Sequence, residues 1–104
     1  MILTTTERIP GKEYEILGPV VGSEVRAKHM GKTIMAGLKT IVGGEVTQFT
    51  ELLTETKMTA LSRMEDAAKE LGADAVVCYR YFTADVMDGT IEVAAFGTAV
   101  KFVK

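Results

Sequence analysis

The spacing of apolar residues changes along the chain, and each change marks an element boundary. Met1 to Thr5 is short and β-prone, and Ile9-Pro10-Gly11-Lys12 reads as a turn because proline fixes φ and glycine permits a reversal. Tyr14 to Ala27 alternates only roughly, with Ile16, Val20 and Glu24 on one face and Leu17, Val21 and Val25 on the other. Pro19 lacks a backbone donor, so this strand is expected at a sheet edge or broken by a bulge there. Gly18 and Gly22 favour the bulge.

Between Lys32 and Val42 the period lengthens: Ile34, Met35, Leu38, Ile41 and Val42 form one stripe of a short helix that Gly43-Gly44 ends. From Glu45 to Leu71 no glycine or proline intervenes, and Val46, Phe49, Leu53, Ala60, Met64, Ala67 and Leu71 recur at helical spacing. At about 1.5 Å per residue that helix is as long as a whole domain of this size. Leu52, Met58, Leu61 and Ala68 widen its apolar stripe, so more than one surface is expected to pack on it. Gly72 stands where a left-handed C-cap belongs.

After Asp74 the run Ala75 to Phe82 is rich in branched and aromatic residues, and Asp88-Gly89 precedes a return strand from Ile91 to Val103. Apolar side chains point both ways along this hairpin. Val77, Tyr79 and Tyr81 oppose Val76, Cys78 and Phe82, while Ile91 and Val93 oppose Phe96, Val100 and Phe102. These elements specify an α+β fold with a small antiparallel sheet, one short helix and one long helix. Two helices cover one face of such a sheet but hardly both. The second face therefore calls for a neighbour, and self-association is the expected answer.

The chain has 104 residues, enough for one domain spanning 1–104, with 47% hydrophobic and 25% charged residues. Its net charge is −2 and no run of lysine or arginine occurs, so nucleic acid is not an expected partner. No apolar run approaches the ~20 residues of a membrane span. With one cysteine and no signal-peptide core after Met1-Ile2-Leu3, the expected compartment is the cytoplasm.

Candidate chemistry is sparse. His29 is the sole histidine and Cys78 the sole thiol, and no paired Cys or His ligands stand a few residues apart. Cys78 is read first as a small hydrophobe in a strand and His29 as a polar surface residue; both stay weak metal candidates because a symmetric assembly multiplies single ligands. Gly43-Gly44 reads as a turn, with Glu45 answering the helix dipole internally. Glu51, Glu55, Glu65, Asp66 and Glu70 are interleaved with Lys57, Arg63 and Lys69, the pattern of a solvated helix face. With no nucleophile–base signature, phosphate loop or dinucleotide fingerprint, no catalytic residue is assigned and an enzyme is not expected.

Ile41-Val42-Gly43-Gly44, Leu71-Gly72-Ala73-Asp74-Ala75-Val76-Val77 and Gly97-Thr98-Ala99-Val100 stand in order around the long helix. With Ala36-Gly37-Leu38 and Gly18, Val21 and Gly22, they give a chain that resembles the YbjQ-like family over nearly its whole length. The resemblance implies a dodecin-like β-α-β-β subunit in two layers, a pentamer, and membership of an uncharacterised bacterial and archaeal family that carries a heavy-metal-binding label. The implied function is a homo-oligomeric, non-enzymatic protein that binds heavy metal, the alternative being a scaffold or small-molecule binder with ligand sites between subunits. Two departures bear on this. Glu45 stands where the family often has arginine, and Cys78-Tyr79-Arg80-Tyr81-Phe82 is basic and aromatic where many members are acidic. No ligand set carries over to numbered positions.

Overall fold

In a computed structural model of the chain, residues 1–27, 47–85 and 89–103 are described. Five elements follow one another: β1 (Ile2–Leu3), β2 (Glu13–Ala27), α1 (Thr47–Glu70), β3 (Ala75–Ala84) and β4 (Thr90–Val103). The strands form one sheet in the order β1-β3-β4-β2. β4 is antiparallel to both neighbours, while β1 runs parallel to β3. The fold is α+β, but the sheet is mixed rather than wholly antiparallel. The expected short helix, His29 and Gly43-Gly44-Glu45 lie outside the described residues, as does Asp88 of the hairpin turn. Gly89, next to it, has φ +81°, as a tight reversal requires.

Two bulges break the alternation that the sequence suggests. In β2 the register shifts between Ile16 and Gly18, leaving Leu17 as an extra residue, and Gly18 has φ +152°. The bulge carries Ile16 to the face of Val21 and Val25, away from Val20, so the expected grouping of Ile16 with Val20 is wrong. Being an edge strand as well, β2 meets the requirement set by Pro19 in both ways. In β3 the shift lies between Val77 and Arg80, so Cys78 and Tyr79 together oppose Gly97. It puts Tyr79 and Tyr81 on the face of Val76 and moves Phe82 to that of Val77, again unlike simple alternation.

Helix α1 lies across β2 and β4 and barely touches β3. Its buried line is Leu52, Thr56, Ala60, Met64 and Ala68, every fourth residue, and the last three pack with Val20, Val76, Val93, Ala95 and Ala99 of the sheet. The Thr56 hydroxyl is fully buried and donates to the Leu52 carbonyl at 2.6 Å, so it costs little there. Leu71, assigned to the stripe by its spacing, is 49% exposed. The helix ends as expected: Gly72 has φ +79°, its N–H donates to the Lys69 carbonyl at 3.0 Å, and the Ala73 N–H donates to the Ala68 carbonyl at 3.1 Å. These paired bonds are a Schellman cap. The Glu65–Lys69 pair forms at 3.9 Å.

Alanines on the helix and glycine on the strand let two backbones meet. A Cβ built on Gly22 would collide with backbone atoms of Ala60, Arg63 and Met64. Gly22 therefore marks this close approach rather than a bulge. Backbone cannot yield as a flexible side chain can, so Gly22→Ala is expected to cost about 3 kcal/mol or more, the upper end of overpacking penalties. Chemical denaturation compared with the control Ser62→Ala, at an exposed helix position, checks this; equal stability of the two would contradict the packing.

Candidate functional site

The two ends of the sheet are finished differently on the face away from α1. At the end formed by Ala75, Val77 and Val100, the N-terminal turn folds underneath, and Ile9, Tyr14, Cys78 and Phe102 cover a second small core. The Tyr14 hydroxyl donates to the Glu7 carbonyl at 2.6 Å, tying that turn to β2. Pro10 and Gly11, the latter at φ +77°, complete the turn with a Lys12 N–H to Ile9 carbonyl bond of 3.1 Å.

At the other end nothing among the described residues covers the face. Val21 is 58% exposed, Val25 50%, Phe82 48% and Phe96 40%. Register places them together: Val21 pairs with Phe96, Phe82 pairs with Ala94, and Val25 pairs with Glu92. The Phe82 and Phe96 rings lie 6.0 Å apart. Together these four side chains leave on the order of 300 Å² of apolar surface in water, a patch size that often marks an interaction site. The chain is also drawn out, with a radius of gyration of 17.2 Å, whereas a compact domain of about 100 residues has about 13 Å. The sequence foresees a two-sided hairpin, but not that its N-terminal turn roofs one half of the second face.

Cys78 sits at the β3 bulge with φ +56°, a conformation that costs a non-glycine residue about 1–2 kcal/mol. Its N–H donates to the Thr6 carbonyl and that of Tyr79 to the Thr4 carbonyl, so two successive donors turn outward to the N-terminal segment. Arg80 locks the arrangement by donating to the Thr5 and Tyr79 carbonyls at 3.0 and 2.8 Å. The thiol is half-buried against the second core, a more exposed setting than a wholly internal hydrophobe. Among the described residues no group of three His, Cys, Asp or Glu side chains converges as a metal would need. The described part of one chain thus does not fit a soft-metal site, and His29 lies outside it.

Charge is gathered elsewhere. Glu24 accepts from Arg26 at 3.3 Å and from Arg63 at 3.2 Å, joining β2 to the helix, and Arg26 reaches Glu55 at 3.0 Å. Arg63 also donates to the Ser23 carbonyl at 2.7 Å, which makes this network a clamp on the helix. Burial, with Tyr79 adding to it, raises the Tyr81 phenol above its ordinary value of 10.0. No helix among the described residues is long and apolar enough to cross a membrane.

A family model described as "Putative heavy-metal-binding" matches residues 1–103. The chain belongs to this YbjQ family. Relatives in it named UPF0145 protein include one from Psychromonas ingrahamii, 57% identical over 105 residues and covering all of both chains. Another, from Archaeoglobus fulgidus, is 56% identical over 102 residues, 97% of this chain and 94% of the relative. The fold is similar to the crystal structure of a protein of unknown function in the DUF74 family from Pediococcus pentosaceus. The TM-score is 0.66 at 18% identity, covering 99% of this chain and 98% of that one. YbjQ membership supplies a metal-binding description, and Cys78 alone among the described residues offers a thiol toward it.

Opposite the Cys78 bulge, Gly97 is tightly enclosed: a Cβ there would lie 2.6 Å from Val76 Cγ1 and 3.1 Å from Tyr79 Cβ. Gly97→Ala is expected to destabilise the fold by about 1–3 kcal/mol and to loosen the N-terminal segment hung on the bulge. Denaturant unfolding measures the first effect and proteolysis of residues 1–12 the second; unchanged values in both would count against the packing at this bulge.

Proposed function

We propose that this protein works as a non-enzymatic homo-oligomer whose subunits bury the open half of the sheet face against one another. The observation that carries this reading is the cluster of Val21, Val25, Phe82 and Phe96 on the face that α1 does not cover. Burying such side chains stabilises by about 25 cal/mol per Å², so a 300 Å² patch contributes several kcal/mol per subunit. A second copy is the fitting occupant because it brings an identical apolar patch. The family resemblance implies five copies. A scaffold or binding role suits a chain whose organised features are packing contacts and a structural ion network.

The family's metal description enters at the same contact. A soft cation would draw on ligands from more than one copy, since the described residues of one chain do not present a set. Assembly and metal retention are then linked.

Sedimentation at micromolar concentration is expected to give an oligomer for the native chain and a folded monomer for Val21→Glu/Phe96→Glu, with unchanged far-UV circular dichroism. A native chain that sediments as a monomer would sink the reading. Zinc or cadmium offered to both proteins, and followed by native mass spectrometry, should be retained only by the assembly; equal retention by the monomeric variant would place the ligands within one chain.

A further inference from the structure

We infer that the cleft beside the N-terminal turn is a binding site for a small dicarboxylic amino acid, a ligand with two carboxylates and one ammonium group. The cleft lies at the roofed end of the sheet, where β2 begins and β4 ends, and Arg8, Gly11, Lys12, Glu13 and Val103 line it. Its volume of about 500 Å³ falls in the range of small-molecule sites. Val21, Val25, Phe82 and Phe96 stand toward the other end of the β2–β4 ladder, so this site goes beyond the self-association proposed above and does not rest on it.

Arg8 distinguishes this cleft from the rest of the surface. Of the other arginines among the described residues, Arg26 and Arg63 pair with glutamates, and Arg80 donates to two backbone carbonyls. The Arg8 guanidinium has no such acceptor among the described residues. A guanidinium is a planar fork of donors that matches a carboxylate through two parallel bonds. Lys12 adds a second cation whose place is set by the Phe102 ring, with its ammonium 5.0 Å from the ring centre. Glu13 contributes one carboxylate to the same lining. Two cations and one anion are the charge-for-charge complement of two ligand carboxylates and one ligand ammonium. A ligand with acidic groups alone would leave Glu13 facing like charge.

The backbone that carries these groups is fixed before a ligand arrives. The Lys12 N–H donates to the Ile9 carbonyl at 3.1 Å, the Thr6 hydroxyl to the Arg8 carbonyl at 2.8 Å, and the Tyr14 hydroxyl to the Glu7 carbonyl at 2.6 Å. Holding the turn on both sides lowers the ordering cost of binding. Gly11 adds no side chain between the two cations, and the space where a Cβ would point is open. The main chain there is accessible to a ligand.

Isothermal titration of the native full-length protein tests the site with three probes: L-glutamate, glutarate, which lacks the amine, and L-glutamine, which lacks the second carboxylate. L-Glutamate is expected to bind saturably and each of the others on the order of 10-fold more weakly, the effect of one lost charge-assisted contact. Arg8→Gln is expected to weaken L-glutamate by a similar factor, and Glu13→Gln to erase the preference for L-glutamate over glutarate. Both side chains are exposed, so the variants keep the native far-UV circular dichroism. No saturable binding of L-glutamate up to about 10 mM, or equal affinity of the native protein and Arg8→Gln, would overturn the site. Equal affinity of the native protein for glutarate and L-glutamate would overturn the ligand class.

Discussion

Helix α1 can lie on the sheet only because it approaches β2 with almost no side chain between them. Gly22 provides the opening and Ala60 the matching helix surface, with Met64 and Val20 filling the space on either side. That contact fixes the helix over β2 and β4, and the clamp from Arg63 to Glu24 and the Ser23 carbonyl holds it there. The whole reverse face of the sheet then depends on something else. The N-terminal turn covers part of it around Val77 and Val100, leaving Ile16 at the β2 edge exposed, and the asymmetry between the two ends is the feature from which the function is argued.

Much of this architecture can be read from residue spacing. The long helix, its Gly72 cap, the hairpin and the edge placement of β2 all follow from local signals: an unbroken helical period, a glycine just past its end, Asp-Gly between two strands, and a proline inside one. What escapes is whatever depends on contact across the fold. Thr56 is buried in the helix line although its polarity argues for solvent, because its hydroxyl turns back to the Leu52 carbonyl. Leu71 is exposed although its spacing argues for burial, because the helix stops beside it. Gly22 resembles a bulge glycine and is instead a seat for a helix.

The candidate site shows the same division. Apolar residues on both faces of β3 and β4 are plain in the sequence, and so is the need for cover. Which half stays open is not, since that depends on residues 4–12 folding back beneath Ala75 and Val100. The β3 bulge is equally hidden: it places a cysteine, not a glycine, in the left-handed region, and only the outward donors at Cys78 and Tyr79 reveal why. Cys78 thus has a structural task at the bulge that the search for metal ligands in the sequence does not detect.

The β2 bulge also governs how the gene can change in length. Leu17 is surplus to the ladder: with it removed, Ile16 would adjoin Gly18 and still face Val100, and Tyr14 would still face Phe102. A codon lost there leaves the second core intact, while one lost between Val20 and Ala27 would turn part of the strand inside out. Gaps between related sequences belong at such bulges, where the chain holds slack, and not in the regular ladder on either side.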